Sequence, residues 1–289
     1  MIKTVRFTWT RKILDNEKRF KSAAKQIWWV TIDFLCYFDI YYDWQFRYIK
    51  DDKKIKNYDI FRIDWLRWKG MKQWLLYYYG ILNKKKTMDN AQLIGTDYYS
   101  KFNQLLFLHH YKFSAPKSIF FAIDSIYSQK YISLLENAFS YPFIAKDVYK
   151  DRGKWVFLVE NKQQLKNLIK EQQNNCILFQ EYIVNTWEFR VITVWNQIVW
   201  SFKRYNPHSY KNNLKNWTIF EKTNINKQLK DTILDIIKKY TLDFSWIDII
   251  SSWDTYYILE INITPQYKRM ETVTGIDVIQ KLMMHIKNK

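Results

Sequence analysis

Glycine is scarce in this chain of 289 residues, and tryptophan is abundant. There are five glycines and fourteen tryptophans, whereas average usage of about 7% would give roughly twenty glycines. Turns need residues that adopt positive φ, which tryptophan does poorly. In TVWNQIV and in IISSWDTYYILEI, Trp195-Asn196 and Trp253-Asp254 stand where a hairpin would use Gly-Asn or Gly-Asp. Our hypothesis is that many of these tryptophans are glycines in the source organism, encoded by a reassigned UGA codon that is translated here as tryptophan.

Cysteine, histidine and long apolar runs are also rare. Cys36 and Cys176 suit a reducing compartment and form no metal-ligand pattern. The four histidines are poorly spaced for a metal cluster: His109, His110, His208 and His285. There is no run of eighteen apolar residues, and the first twenty residues lack the apolar stretch of a signal peptide. We therefore expect a cytoplasmic protein with no membrane partner.

Positive charge is in excess. Lys and Arg number 46 against 28 Asp and Glu, for a formal net charge of +18. Such a charge suits a protein that approaches nucleic acid or anionic substrates, but a solvated, lysine-rich surface explains it as well. No RNA-binding aromatic motif accompanies the charge, so nucleic acid is not the partner we expect. The chain is 48% hydrophobic, which is typical of globular proteins.

Strands and helices alternate without a clean βαβ period, which predicts an α+β fold. The first ninety or so residues contain apolar strands (IWWVTIDFLCYF, YDIFRI) and a helix near WKGMKQWLLYYYGIL. After them we predict a helix and a strand in TDYYSKFNQLLFLHHYKFSAPKSIFF, a helix in SQKYISLLENAF, and strand, basic loop, strand and helix in PFIAKDVYKDRGKWVFLVENKQQLKNLIKEQ. The remainder predicts a strand (NCILFQEYIV), a hairpin (FRVITV, QIVWSFKRY), a helix (NKQLKDTILDIIKKY), a second hairpin (WIDIIS, YYILEIN) and a closing helix (DVIQKLMMHIKNK).

The second hairpin carries the strongest chemical pattern. Asp248 lies on its first strand, and Glu260 and Asn262 lie on its second strand. Residues two apart on a strand point to the same face, so two oxygen ligands would face an aspartate across the hairpin. This arrangement suits Mg²⁺ shared with phosphates. The alternative is a set of solvent-facing positions on a half-exposed hairpin.

Two other groups suit phosphate chemistry. Lys146 ends a strand, and the basic loop after it contains Gly153, so backbone N–H groups and a strand lysine could hold a triphosphate. Arg190 and Arg204 lie on neighbouring strands near Glu188, and arginine donors fork around anionic oxygens. The alternatives are a surface hairpin for the lysine loop and ordinary arginine–carboxylate pairing for the arginines.

Together these segments resemble the ATP-grasp superfamily, most closely its RimK-like branch. The resemblance runs from about residue 82 to the end and is carried by PFIAKDVYKDRGKWVFLVE, NCILFQEYI, EFRVITV, KNNLKNW, WIDII and YYILEINITPQYKRMETVTGIDV. It implies two α+β subdomains that clasp ATP, after a small α/β N-terminal domain. The implied boundaries are 1–94 for the N-terminal domain and 95–289 for the ATP-grasp domain, with a small lid at about 113–184 and a Mg-binding subdomain at 185–289.

The resemblance also implies a role for individual residues. Lys101 and Lys146 would contact ATP phosphates beneath the Gly153 loop; Glu181, Tyr182 and Ile183 would read adenine at the hinge; and Glu188 would contact ribose. Arg190, Arg204 and Asn213 would act on the transferred phosphate and the acyl-phosphate, and Asp248, Glu260 and Asn262 would bind Mg²⁺, with Mn²⁺ as a substitute. Trp155, Trp187, Trp217 and Trp246 depart from the family because they stand at or beside its usual glycines.

The implied activity is an ATP-dependent carboxylate–amine ligase that acts through an acyl-phosphate and adds an amino acid such as glutamate to a peptide or protein. Its partners would be ATP, a carboxylate, an amine and a second copy of the chain in a homo-oligomer. A ligase for small or glutathione-like peptides is an alternative within the superfamily. A non-catalytic nucleotide- or RNA-binding protein is the alternative from another class.

Overall fold

The structure of the protein is a computed structural model. It describes residues 1–8, 15–36, 39–42, 46–48, 53–63, 86–88, 101–147, 155–184, 187–210, 219–262, 271–272 and 275–288. No helix in these ranges is long and apolar enough to span a membrane.

The described elements form a mixed fold. The strands are β1 (Ile2–Thr8), β2 (Val30–Cys36), β3 (Ile40–Tyr42), β4 (Phe46–Tyr48), β5 (Lys53–Lys54), β6 (Ile60–Ile63), β7 (Lys86–Met88), β8 (Ser118–Ala122), β9 (Phe143–Asp147), β10 (Val156–Val159), β11 (Cys176–Glu181), β12 (Glu188–Val194), β13 (Gln197–Tyr205), β14 (Ile219–Lys222), β15 (Phe244–Ser252) and β16 (Thr255–Asn262). The helices are α1 (Asp15–Gln26), α2 (Lys101–His110), α3 (Ser128–Ala138), α4 (Lys162–Glu171), α5 (Lys227–Tyr240) and α6 (Val278–Asn288).

The strands within the described ranges assemble into four sheets. A parallel sheet of order β2-β1-β6-β7 and a short three-stranded sheet, β3-β4-β5, belong to the N-terminal part. An antiparallel sheet of order β10-β9-β11-β8 packs against α3 and α4. The largest sheet is antiparallel with the order β14-β13-β12-β15-β16. The predicted α+β mixture is confirmed.

The large sheet is covered on both faces by apolar side chains. One core joins it to α5 through residues such as Val191, Ile247 and Ile233. The core on the opposite face contains Ile192 and α6, and it continues into the N-terminal part through Phe20 of α1. Successive side chains of a strand point to opposite faces of the sheet, so neighbouring residues of β12 lie in two different cores.

Local sequence signals account for several element boundaries. Asn161 caps α4 by accepting a hydrogen bond from the backbone N–H of Gln164 at 3.0 Å, and asparagine is among the residues preferred at that position. The two predicted hairpins are confirmed, and their turns place Trp195 at φ 52° and Trp253 at φ 53°. The helix predicted near residues 68–82 lies outside the described residues.

Candidate active site

A row of charged side chains crosses one face of the large sheet. The antiparallel register places Glu188 opposite Arg204, Arg190 opposite Asp248, and Asp248 opposite Glu260. These residues share a face because directly paired residues in adjacent strands point the same way. Further along the same strands this face becomes the apolar core beneath α6. The site therefore lies where a packed sheet face ends and a polar one begins.

A β-bulge sets the acidic end of this row. The register passes from Asp248 opposite Glu260 to Ile249 opposite Ile258, so Leu259 is an extra residue in β16. Because of this extra residue, Ile258 and Ile261 both reach the core against α5 although they are three positions apart. Bulges of this kind re-aim side chains next to functional sites.

Two arginines hold the carboxylates of the row. Arg190 binds Asp248 with two parallel bonds, from Nε to Oδ1 at 2.6 Å and from Nη2 to Oδ2 at 2.6 Å. The Nη2 of Arg204 donates to Glu188 and lies 3.5 Å from Oδ2 of Asp248. Their side chains are 14% exposed or less. The alternative of arginine–carboxylate pairing is therefore what the structure contains, and the role of these arginines at a phosphate stays a prediction.

The pKa values of the two buried carboxylates shift in opposite directions. Burial raises the pKa of Glu188, with help from Asp248, and Arg204 only partly offsets this. Burial also acts to raise the pKa of Asp248, but Arg190 and Arg204 outweigh it and hold that pKa below its usual range. Burial lowers the pKa of Arg204, and Glu188 and Asp248 more than restore it. Asp248 is thus held ionised in a partly desolvated site.

Two lysines line a cavity beside the end of β16 that carries Glu260. Lys101 at the start of α2 and Lys146 on β9 line a cavity with Leu178, Ile258 and Leu259. Burial is the main cause that lowers the pKa of Lys146; Glu260 acts to raise it and Lys101 acts to lower it, and the net value is about 8. The predicted phosphate lysines are therefore close to the predicted metal ligands. Lys146 is therefore within electrostatic reach of Glu260 and Asp248.

The predicted hinge follows the small sheet directly. Glu181 ends β11, where its Oε1 accepts a hydrogen bond from the backbone N–H of Lys117 at 2.6 Å. Tyr182 and Ile183 come next and are half-buried. These residues precede β12, which begins at Glu188. Gly153 and Asn213 lie outside the described residues, so their predicted roles stay predictions.

The oxygen donors fit a hard cation such as Mg²⁺. Asn262 lies opposite Trp246. This pair is two positions along the strands from the Asp248–Glu260 pair, so it is on the same face of the sheet. Mg²⁺ needs only one or two carboxylates when phosphates and water complete its octahedron. Among the described residues there is no group of three or more His, Cys, Asp or Glu side chains that could hold a metal, so the available set is two carboxylates and one amide.

One tryptophan of the unusual set borders the site. The guanidinium carbon of Arg190 lies 3.8 Å from the ring centroid of Trp246, which is a cation–π contact. The indole Nε1 of Trp246 is buried without a hydrogen-bond partner among the described residues. Glycine at this position would remove the surface on which Arg190 rests.

Sequence reasoning missed Gln104. Its Oε1 accepts a hydrogen bond from the backbone N–H of Ile261 at 2.8 Å, between Glu260 and Asn262. It lines the same cavity as Lys101 and Lys146. The one sequence signal for it was its position three residues after Lys101 on a predicted helix, which places both residues on the same helix face.

The comparisons with known proteins agree with this geometry. The family model described as the RimK-like ATP-grasp domain matches residues 99–286. A probable alpha-L-glutamate ligase of Pasteurella multocida is 24% identical over 153 residues, which are 51% of this chain and 49% of that protein. A coenzyme gamma-F420-2:alpha-L-glutamate ligase of Methanocaldococcus jannaschii is 26% identical over 147 residues, 49% of this chain and 50% of that protein. The matched region thus spans about half the length of these curated relatives.

A solved structure extends the likeness over the whole chain. The ATP-grasp ligase PsnB, complexed with minimal precursor, Mg and ADP, superposes with a TM-score of 0.74 at 13% identity, covering 99% of this chain and 96% of that chain. At this identity the likeness concerns the fold, which is the ATP-grasp fold. Because the family model covers well over half of the sequence, the chain belongs to the RimK-like ATP-grasp family.

Proposed function

We propose that this protein is an ATP-dependent, ADP-forming ligase that joins a carboxylate to an amine through an acyl-phosphate. The observation that carries the proposal is that two lysines line a cavity close to the carboxylates of the sheet. Lys101 and Lys146 line it beside the strand that holds Glu260, and the charge of Glu260 acts on Lys146. Phosphoryl transfer depends mainly on positioning and electrostatic stabilisation, so a site without a nucleophile–base pair is sufficient.

The lysine side of the cleft is proposed to bind ATP. Lys101 and Lys146 would neutralise phosphate charge beneath the Gly153 loop. The backbone groups of Glu181, Tyr182 and Ile183 would read adenine, and Glu188, held by Arg204, would contact ribose. The apolar lining from Leu178 and Leu259 supports a base-binding pocket, because nucleotide bases are bound between apolar walls with a few polar contacts.

The acidic side is proposed to hold the metal. Asp248, Glu260 and Asn262 would bind Mg²⁺, or Mn²⁺ in its place. When bound there, the cation neutralises charge on the β- and γ-phosphates. The low pKa of Asp248 supports this assignment, because a ligand carboxylate must be ionised.

The arginine side is proposed to act on the reacting centre. A substrate carboxylate attacks the γ-phosphorus, and ADP leaves with the electron pair of the broken P–O bond. The amine then attacks the acyl carbon, and phosphate leaves as the amine loses its proton. Arg190, Arg204 and Asn213 would donate hydrogen bonds to the oxygens on which charge develops. Arg204 is buried and anchored by Glu188, so it is held ready for this task.

We propose an amino acid such as glutamate as the amine and a peptide or protein tail as the carboxylate. Two relatives bear the name of a glutamate ligase, and a structure of PsnB is complexed with a precursor peptide and AMPPNP. The net charge of +18 suits an acidic chain. A glutathione-like small peptide is the alternative substrate class.

We further propose that glycine is the native residue at several tryptophan positions. Positive φ at Trp195 and Trp253 supports this, because glycine adopts that region without strain. A six-glycine variant would carry Trp155→Gly, Trp187→Gly, Trp195→Gly, Trp217→Gly, Trp246→Gly and Trp253→Gly. Peptide mass spectrometry of the native protein tests the idea directly, and tryptophan at Trp195 and Trp253 would refute it.

The test of the ligase is ADP release with Mg-ATP. The parent chain and the six-glycine variant are assayed against amino acids and acidic peptides, and hydroxylamine traps the acyl-phosphate as a hydroxamate. We expect turnover only when a suitable carboxylate and amine are both present. If both proteins are folded and neither releases ADP across a broad panel, the ligase proposal fails.

A matched pair of variants distinguishes this proposal from a non-catalytic nucleotide- or RNA-binding protein, which the positive charge favours. Glu260→Ala removes a proposed metal ligand, whereas Asp254→Ala removes an exposed carboxylate from the turn of the same hairpin. We expect only Glu260→Ala to abolish Mg²⁺-dependent ATP binding. RNA binding that is unchanged by both variants, without ATP binding in the parent, would favour the alternative.

A further inference from the structure

Gln104 ties the lysine side of the cleft to the acidic side. It is 5% exposed, and its Oε1 accepts the hydrogen bond from the backbone N–H of Ile261 across a sequence separation of 157. Ile261 lies between Glu260 and Asn262, the proposed metal ligands on β16. Gln104 lies one helical turn after Lys101. Its side chain therefore connects the part of α2 that carries Lys101 to the segment of β16 that carries both ligands.

The geometry of β16 explains why this bond is needed. β16 ends the order of the large sheet among the described strands, so its outward N–H groups need partners from elsewhere. The backbone N–H of Ile258 donates to the carbonyl of Ser114 at 2.9 Å. Because of the bulge at Leu259, the next outward N–H is that of Ile261, three positions after Ile258. This N–H donates its hydrogen bond to Oε1 of Gln104. The first turn of α2, through Gln104, and the segment after the helix, through Ser114, therefore supply hydrogen-bond partners to this edge.

The same helix face carries the phosphate lysine. Lys101, Gln104 and Leu108 are spaced three and four apart, so they lie on one face of α2, and Leu108 packs in the core beneath β16. A shift of α2 along β16 would break the Gln104 bond and change the distance between Lys101 and Glu260. Both of these charges act on Lys146, so the relative position of helix and strand sets the electrostatics of the cleft.

We propose that Gln104 is a positioning residue, which fixes β16 against α2 and thereby holds Glu260 and Asn262 in place for the metal–nucleotide complex. The proposal rests on the proposed function for the identity of that complex. Gln104 itself acts through the backbone of Ile261. Groups that orient metal ligands typically change metal affinity by about 10- to 100-fold when they are removed.

The test compares two variants of Gln104 with a control. Gln104→Leu keeps the volume and removes the acceptor, whereas Gln104→Glu keeps an acceptor. Thr193→Val removes a different buried hydrogen bond of the same sheet, the 2.7 Å contact between Thr193 and Ser245. Calorimetric titration of ADP at a series of Mg²⁺ concentrations needs no turnover, and it is run in the parent chain or the six-glycine variant, whichever binds ADP.

We expect Gln104→Leu to raise the Mg²⁺ concentration for half-maximal ADP affinity by about tenfold. Gln104→Glu should bring this Mg²⁺ concentration most of the way back to that of the parent. Thr193→Val should have the same Mg²⁺ dependence as the parent. Amide hydrogen exchange of a peptide spanning residues 255–262 should be faster in Gln104→Leu and unchanged in Thr193→Val.

Two outcomes overturn the positioning role: unchanged exchange in Gln104→Leu, or a Mg²⁺ dependence that shifts equally in Gln104→Leu and Thr193→Val. Failure of the ligase proposal is seen separately, as Mg²⁺-dependent ADP binding without ADP release from ATP by any carboxylate–amine pair. A parent that binds no ADP with Mg²⁺ overturns both proposals.

Discussion

Replacing Trp253 with glycine is expected to stabilise the protein. Trp253 occupies the turn of the β15–β16 hairpin with φ 53°, and its side chain is 98% exposed. The substitution therefore removes backbone strain while it removes almost no packing. The change in the free energy of unfolding therefore reports the backbone conformation at residue 253 and not the packing of the indole.

The magnitude follows from two opposing terms. The left-handed conformation costs an L-residue roughly 1–2 kcal/mol, and glycine avoids this. Glycine loses more conformational freedom on folding, which offsets about 0.5–1 kcal/mol of the gain. The net expectation for Trp253→Gly is an increase of about 0–1.5 kcal/mol in the free energy of unfolding, centred near about 0.7 kcal/mol, or a rise of about 1–3 °C in Tm at that central value.

Urea and thermal unfolding measure this change, with two control variants. Trp253→Ala removes the indole but keeps a Cβ, so it should bring no comparable gain. Trp28→Gly removes another exposed indole, 86% exposed, from a turn residue that is not at positive φ, so it should be neutral or destabilising. Equal shifts in Trp253→Gly and Trp28→Gly would refute the argument from backbone strain.

Two further predictions concern the charged cleft. The pKa of Lys146 lies near 8, below its ordinary 10.5, so its charge is disfavoured in the fold and the stability of the ligand-free protein should rise between about pH 8 and 10.5. In the proposed complex, ATP phosphates would favour the charged form of Lys146, so the KM for ATP should increase as pH rises through about 8. Lys146→Arg should flatten that profile, and an unchanged profile would contradict the assignment. Arg190→Ala leaves Asp248 buried without its main partner, and urea denaturation should show a loss of about 3–5 kcal/mol that Asp248→Asn partly restores; a loss below 1 kcal/mol would contradict the buried ion pair.

Most of the fold could be predicted because its signals are local. The amphipathic spacing of α5, the cap at Asn161, and the paired apolar runs around Trp195 and Trp253 each depend on a few neighbouring residues. The hairpin that carries Asp248 and Glu260 belongs to this class, since its turn and both strands are contiguous. The shared face of Glu260 and Asn262 then follows from strand alternation alone.

The partners within the site could not be predicted in the same way. Arg190 and Asp248 are 58 positions apart, and their pairing depends on the register between β12 and β15. The bulge at Leu259 leaves no mark in the alternation of apolar residues, and the bond from Ile261 to Gln104 spans half of the chain. Sequence patterns identified the charged residues, whereas their ion pairs and hydrogen bonds depend on how the strands are paired in the assembled sheet.

The pairing of Arg190 with Asp248 also constrains how ligands would enter the proposed site. Each group is the main partner of the other, and leaving either one buried alone costs about 3–5 kcal/mol. A phosphate oxygen that takes Arg190 therefore leaves Asp248 in need of a cation, and a cation that takes Asp248 leaves Arg190 in need of an anion. Metal and nucleotide satisfy both needs together, so their binding should be mutually reinforcing, and by linkage each should raise the affinity for the other by the same factor. The buried ion pair is thus an argument for joint binding of Mg²⁺ and ATP, which the proposed phosphoryl transfer would require.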